Sequence, residues 1–354
     1  MKRTEEDKFM ERCLYLATKG AGYVSPNPLV GCVIVKNGEI ISEGWHKIFG
    51  GNHAEIDAFN NAKRKNISVK GASLYVNLEP CSHYGKTPPC VDMIIKEKIK
   101  KVYIGIKDPN KKVNGNGIKK LINNGVEVKY NILKSECEKL NKFFISYITK
   151  KRPYVTLKIA QSIDGNIALK NYKSKWITGY ESRMFVHGMR SIYDCVLVGR
   201  NTVVKDNPGL RVNNKKYRDP FRIIIDANSK LNNKYKVFNN DDGKSIRITS
   251  NLAKYEYDVR LSSSNGNFNI SNLLKKIYEM DFNSIMVEGG SVTFKNFLKS
   301  GLFDDIYYFI SSKILGDGIK TFDNYAFDTL NKSNKLKISS VKQMGDDVLI
   351  IYNK

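Results

Sequence analysis

His53-Ala54-Glu55, followed by Pro80-Cys81 and then Cys90, brings one imidazole, two thiols and one carboxylate into a short reach of chain. These are the parts of a catalytic zinc centre: three protein ligands, an open fourth position for water, and a general acid/base beside it. In that arrangement His53, Cys81 and Cys90 ligate. Glu55 stays free to move a proton between the activated water and a leaving group. His83 is an alternative ligand by residue type, although its place between the two cysteines suits a substrate contact better. No part is informative alone. A His-x-Glu is ordinary surface charge, and two neighbouring cysteines can be inert buried side chains. Their order, with Pro80 directly before Cys81, is what argues for a site.

Such ligands must be held on rigid elements that converge. The pattern predicts a helix over 6–19, a strand over 30–35, and a hairpin turn at Asn37-Gly38 leading into a second strand over 39–44. A helix over 53–64 then opens on His53, after Gly50-Gly51-Asn52. A strand over 73–78 leads towards Cys81, and Cys90 opens a helix over 89–98. The strand 101–106, a helix over 117–124 and a short strand over 126–130 complete a three-layer α/β domain at 1–147. Two helix N-termini would point at one ion, and their dipoles favour thiolate over thiol.

Lys150-Lys151-Arg152-Pro153 breaks the pattern, so 148–153 reads as a linker and 154–354 as a second domain. Strands are expected over 154–160, 195–199, 222–226, 284–288 and 306–310, with helices over 270–280 and 292–299. The polar tract 231–269 is expected to contain long loops. The second half lacks a G-x-G-x-x-G after a strand, which argues against a classical dinucleotide fold. It carries instead LKIAQSIDGNIA (157–168), SKWITG (174–179), HGMR (187–190), LVGRNTVVKDNPGL (197–210) and IMVEGGSVT (285–293). The last is a strand ending in glycines and opening a helix, which suits a phosphate. Turn glycines, a core tryptophan and a surface arginine are the plain alternatives for Gly289-Gly290, Trp176 and Arg190.

Composition bounds the rest. At 354 residues, two domains are the natural expectation. No apolar run is long enough to span a membrane, and MKRTEEDKFM is no signal peptide, so a cytoplasmic protein is expected. The six cysteines are scattered, which argues against disulfides. Cys13, Cys32, Cys137 and Cys195 read as packing residues. The formal charge of +24 fits anionic ligands such as phosphates, but no arginine-rich run suggests a nucleic-acid groove.

The layout His-x-Glu then Pro-Cys is that of zinc nucleobase deaminases, whose cysteines normally stand two residues apart. Here eight residues, SHYGKTPP, separate them. That loop, with SPNPLVGCVIV (25–35), Trp45-His46, LEPCSHYGKTPPC (78–90) and Asp108-Pro109-Asn110, resembles the deaminase half of the bifunctional riboflavin-biosynthesis deaminase–reductases of the RibD type. The second-half constellation resembles their reductase half. The resemblance covers residues 4–350. It implies a cytidine-deaminase-like domain followed by a dihydrofolate-reductase-like one, one Zn²⁺ per chain, and NADPH. For the deaminase it implies Asn27, His46, His83, Lys86 and Asp108 as substrate contacts, with Lys86 suited to a phosphate. For the reductase it implies Ala160, Trp176, Thr202, Asp206, Gly290, Ser291, Val292 and Thr293 at the cofactor, and Ser174, Arg190, Leu210 and Glu288 at the substrate. It also implies a phosphorylated pyrimidine substrate and a homo-oligomer, with neither nucleic acid nor membrane as a partner.

Two departures from the family pattern stand out. Lys111 replaces the proline of DPNP, with little consequence expected. Asn213 stands where the family has a phosphate-binding arginine, while Arg211 lies two residues earlier and is expected on the opposite face. A deaminase with a weakened reductase is therefore one alternative. An RNA deaminase with a fused basic module and a structural zinc scaffold are two others. Lys158 and Asp164 are the chemically possible second-half acids.

Overall fold

The computed structural model describes residues 3–84, 88–111, 113–212, 214, 216–323, 325–326 and 335–354. The chain divides into two compact units, Met1–Lys151 and Arg152–Lys354.

The first unit runs α1 (Glu5–Thr18), β1 (Gly31–Lys36), β2 (Glu39–Trp45), α2 (Ala54–Arg64), β3 (Ser73–Leu78), α3 (Cys90–Lys96), β4 (Lys101–Ile106), α4 (Asn116–Asn123), β5 (Glu127–Tyr130), α5 (Lys134–Leu140) and α6 (Lys142–Lys150). A capping box starts α1, with the Thr4 side chain accepting from the Asp7 N–H and Asp7 accepting from Thr4. Asn37 and Gly38 both have positive φ, 54° and 79°, the turn that matches strand twist in a two-residue hairpin. The sheet order is β2-β1-β3-β4-β5. β1 is antiparallel to both neighbours, and β3, β4 and β5 are parallel.

Helices cover both faces, so the strands are apolar on both sides. In β1, Cys32 and Ile34 pack with Ala58 of α2, Ile94 of α3 and Leu121 of α4. Val33 and Val35 turn the other way, onto Met10 and Leu16 of α1 and Phe144 of α6. Burying each such Ile or Leu contributes roughly 1.5–3 kcal/mol, which holds the starts of α2 and α3 firmly on the sheet. Helix α6 continues to Lys150, through the first residues of the stretch expected to be a linker.

The second unit runs β6 (Tyr154–Ser162), β7 (Asn166–Leu169), α7 (Tyr180–Ile192), β8 (Cys195–Gly199), α8 (Arg200–Asp206), β9 (Phe221–Ile225), β10 (Ser245–Thr249), β11 (Asp258–Arg260), α9 (Ile270–Tyr278), β12 (Ser284–Val287), α10 (Ser291–Ser300), β13 (Asp305–Ser311), β14 (Gly318–Lys320), β15 (Lys337–Met344) and β16 (Asp347–Asn353). Its main sheet has the order β11-β10-β9-β8-β12-β6-β13-β16-β15. All pairs are parallel except those made by β16, which is antiparallel to β13 and β15. The carboxyl ends of β8, β9 and β12 therefore point the same way, where ligands gather in open parallel sheets.

The tract 231–269 holds β10 and β11, which the sequence pattern did not mark, besides its loops. Every residue of Ser-Ile-Arg-Ile-Thr is buried. Arg247 is tolerated there because Asp258 pairs with it at 2.6 and 2.8 Å and the rings of Phe238, Tyr255 and Tyr257 surround it. A buried arginine disguised the strand. Helix α7 and the β15–β16 hairpin also lay outside the sequence pattern. The hairpin's β15 is largely exposed, so no apolar alternation marks it. Cys13, Cys32, Cys137 and Cys195 are all free and buried.

Candidate active sites

In the first unit, His53 occupies the N-cap position of α2 without capping it, which frees the imidazole to turn towards the sulfurs. Its Nδ1 lies 3.3 Å from Cys90 Sγ and 3.5 Å from Cys81 Sγ. The three ligand atoms all fall within 4.8 Å of one another. A tetrahedral zinc with ordinary bond lengths places neighbouring ligand atoms roughly 3.5–3.8 Å apart, so the triad fits the ion and leaves one vertex open. The Cys90 N–H, at the start of α3, donates to Cys81 Sγ at 3.3 Å. With no metal, the Cys90 thiol and His53 pull Cys81 down to about 4, and hydrogen bonding to Cys81 raises His53 to about 9. Cys90 is pushed up by the same Cys81 contact and by burial. A bound cation holds all three ligands deprotonated.

Two acids follow in the first turn of α2, and they differ. Asp57 is engaged, accepting from Lys47 Nζ at 2.8 Å and from the Trp45 N–H at 3.3 Å. Glu55 is only 3% exposed and pairs with no lysine or arginine among the described residues. Burial raises its pKa, as befits a group that must both take and give a proton near neutrality.

His46 is also buried. Its Nδ1 lies 2.9 Å from the Asn52 carbonyl and its Nε2 3.1 Å from Asn27 Nδ2. The carbonyl requires a proton on Nδ1, so Nε2 accepts from Asn27 and the ring is neutral. Burial lowers its pKa, in keeping with that. Both nitrogens are thus engaged, and the contact to Nε2 holds the Asn27 side chain. The loop carrying Asn27 is pinned by two residues that reasoning missed. Asn77 Nδ2 and Asn141 Nδ2 donate to the Leu29 carbonyl at 2.9 and 3.0 Å, and Asn141 Oδ1 accepts from the Leu29 N–H at 2.8 Å. No pattern signalled them, because buried asparagines resemble exposed ones in sequence.

His83 is exposed. Asp108 is buried and raised to about 6, chiefly by desolvation, with the charges of His83 and Cys81 acting on it as well. Its backbone N–H donates to Glu79, two residues before Cys81, at 3.1 Å, which places it near the ligand loop. Lys86 lies outside the described residues.

In the second unit, a cleft of about 540 Å³ opens at the strand ends. It gathers Ser174, Thr202, Asp206, Gly290, Ser291, Val292 and Thr293 from the expected set. Two helix N-termini face it. Gly199 caps α8 and Gly290 caps α10, and neither supplies a side-chain acceptor, so the first N–H groups of both helices are left to a ligand. A Cβ on Gly290 would meet only Thr202 Oγ1, at 3.8 Å, so that backbone is open to close approach. This donor set fits a dinucleotide's phosphates. Arg200, Lys205 and Lys230 add positive charge to the lining, a signal hidden by lysines everywhere in the chain.

Other expected residues stand elsewhere. Ala160 and Trp176 do not line the cleft. Trp176 is 61% exposed, with the Arg183 guanidinium 4.6 Å above its ring. Leu210 is buried at φ 55°. Ser174 donates to Asp206 at 2.7 Å, linking an expected substrate contact with an expected cofactor contact. Arg190 and Glu288 form a bidentate pair at 2.7 and 2.9 Å, with Lys158 3.6 Å from the same carboxylate. Against the cost of burial, these cations hold Glu288 down at about 2. Asp164 binds the backbone N–H groups of Leu315 and Gly316 at its surface loop. Arg211 bonds to Asp241 and to the Asn239 carbonyl. Asn213 is outside the described residues.

Residues 3–106 match the model for the cytidine and deoxycytidylate deaminase zinc-binding region, and residues 153–350 match the RibD C-terminal domain. The chain is 41% identical to the riboflavin biosynthesis protein RibD of Aquifex aeolicus over 100% of both chains. It belongs to the RibD family. It is also 32% identical to the RibD of Escherichia coli, over 98% of each chain. A Thermotoga maritima crystal structure, of a diaminohydroxyphosphoribosylaminopyrimidine deaminase/5-amino-6-(5-phosphoribosylamino)uracil reductase, superposes with a TM-score of 0.92. The two are 43% identical, over 99% of this chain and 98% of that one. The chain is thus a bifunctional enzyme of riboflavin biosynthesis, with a cytidine-deaminase-like and a dihydrofolate-reductase-like α/β domain. This family-level result displaces the RNA deaminase and the structural scaffold. No helix among the described residues is long and apolar enough to cross a membrane.

Proposed function

We propose that the first unit hydrolytically deaminates 2,5-diamino-6-(5-phosphoribosylamino)pyrimidin-4(3H)-one. The second then reduces the ribosyl chain with NADPH, giving 5-amino-6-(5-phosphoribitylamino)uracil. The observation that carries this reading is the His53 imidazole facing two sulfurs, with, at the same helix start, a buried Glu55 that has no lysine or arginine partner among the described residues. When bound, one Zn²⁺ on His53, Cys81 and Cys90 supplies the Lewis acid that makes water nucleophilic near neutral pH, and NADPH supplies hydride. Glu55 takes the proton from the water and delivers it to the departing amine. Asn27, held by His46, keeps its carbonyl end for the pyrimidine. His83 and Asp108 contact the substrate, and Lys86 meets its phosphate.

In the second unit Gly290–Thr293, Thr202 and Asp206 hold the dinucleotide in the cleft, and its nicotinamide end reaches past the cleft lining to Ala160 and Trp176. Arg190, Glu288, Ser174 and Leu210 orient the deaminated substrate, so that positioning supplies much of the rate. The enzyme is taken to work as a cytoplasmic homo-oligomer. The direct test is purified, zinc-loaded protein with the diaminopyrimidine phosphate, with and without NADPH, followed by mass spectrometry. Ammonia release alone is expected without NADPH, and the ribityl product with it. Absence of ammonia release from zinc-loaded protein overturns the reading. Deamination without NADPH turnover points instead to a reductase weakened at Asn213.

A further inference from the structure

Glu79 directly precedes Pro80-Cys81 and is 3% exposed. Its carboxylate accepts four backbone N–H groups. Oε2 takes those of Asp108 at 3.1 Å and Gly115 at 2.9 Å. Oε1 takes those of Gly117 at 2.9 Å and Ile118 at 3.2 Å. Four donors use the full acceptor capacity of an ionised carboxylate. The loop from Asp108 to the start of α4 is therefore wound around a single side chain that belongs to the approach to a metal ligand. Contact is close throughout. A Cβ on Gly117 would come within 2.3 Å of the Pro80 carbonyl oxygen, leaving no room for any side chain there. Asp108 in turn accepts the Asn110 N–H on Oδ1 at 2.8 Å, which fixes its carboxylate at the head of the loop.

We propose that Glu79 is a positioning residue of the deaminase, setting Asp108 relative to the metal ligands. One end of the connection is four hydrogen bonds to the loop, and the other is the covalent chain through Pro80 to Cys81. The proposal rests on the reading of Asp108 as a substrate contact. A glutamine in the same place would have the right shape. It would turn amide hydrogens onto backbone N–H groups and strand two of the four donors, and a buried donor without an acceptor is costly.

The experiment uses the full-length, zinc-loaded enzyme as wild type, Glu79→Gln, Asp108→Asn and the double variant. It measures KM and kcat for ammonia release, zinc per chain, and NADPH turnover of the deaminated substrate as a control in the other unit. Glu79→Gln is expected to raise KM about tenfold or more with a smaller change in kcat, the size of effect that losing bonds to a charged group produces. Zinc and reductase turnover should not change. The double variant should be no worse than Asp108→Asn alone, because one residue acts through the other. An unmoved KM, additive losses, or loss of zinc from Glu79→Gln would each overturn the proposal. If Asp108→Asn alone leaves KM unchanged, the underlying substrate reading has failed and the proposal falls with it. A damaged Asp108→Asn beside a normal Glu79→Gln sinks only the proposal. Should Glu79→Gln not fold, Glu79→Asp, which keeps the charge but loses reach, carries the same comparison.

Discussion

At the deaminase centre three ligand atoms lie within 4.8 Å of one another, whereas the reductase cleft extends over about 540 Å³ and presents two uncapped helix N-termini. The first site is a handful of side chains, with His53, Glu55 and Cys90 at helix starts and Cys81 in the loop between β3 and α3. The second is mostly backbone, with paired charges behind it. A metal centre needs particular atoms at particular distances, so its residue types cannot vary. A dinucleotide site needs N–H groups and room, which many sequences supply. The contrast predicts different sensitivities to substitution.

The largest effect should come from Glu55. Glu55→Gln is expected to slow ammonia release by about a hundredfold to ten-thousandfold, the range for removing a general acid/base. Zinc content and NADPH turnover of the deaminated substrate should stay at wild-type values. Substantial deamination by this variant would break the view that one side chain carries the proton in the first site.

Next comes the charge cluster of the second. Glu288→Gln leaves Arg190 and Lys158 buried without their shared partner, and is expected to destabilise that unit by about 3 kcal/mol in denaturant unfolding. The pH dependence follows from its depressed pKa. The unfolded chain binds the proton more tightly, so the stabilising contribution is present above about 4.5 and lost as pH falls towards about 2. The acid limb of reductase unfolding should therefore flatten in Glu288→Gln. An unchanged limb would show that the pair contributes nothing to stability.

The smallest effect concerns open backbone. Gly290→Ala meets no close neighbour in the protein and should leave stability within about 0.5 kcal/mol. It should raise the KM for NADPH about tenfold by blocking approach, about 1.4 kcal/mol of binding. Gly289→Ala differs, since its Cβ would come within 2.4 Å of Thr293 Cβ, so it should lose stability as well. Equal behaviour of the two variants would remove the distinction between cofactor space and packing space.

The two sites were unequally legible in sequence. His53, Glu55, Cys81 and Cys90 could be read directly, because few other chemistries need those types in that order. Ser291–Thr293 and Thr202 were found as motif members, and the structure gathers them at one cleft. Asn77 and Asn141, which pin the Asn27 loop, carried no signal, since a buried asparagine is known only by the backbone it meets. Strand β10 was hidden for a related reason: Arg247 made a core strand look polar, and only its distant partner Asp258 makes it one.

The sequence by itself determined the family, the two-part organisation and which residues, His53, Cys81, Cys90 and Glu55, stand as candidates for a metal centre, all of which depend on residue type and order. The tertiary structure decided how each polar group is spent. It separated Glu55 from Asp57, though both stand in one helical turn, by giving Asp57 a lysine. It engaged both ring nitrogens of His46, with Asn27 and the Asn52 carbonyl, and it bound Arg211 to Asp241. Hydrogen-bond capacity is finite and is filled by whatever the fold brings near. Order along the chain cannot show which groups remain free for chemistry.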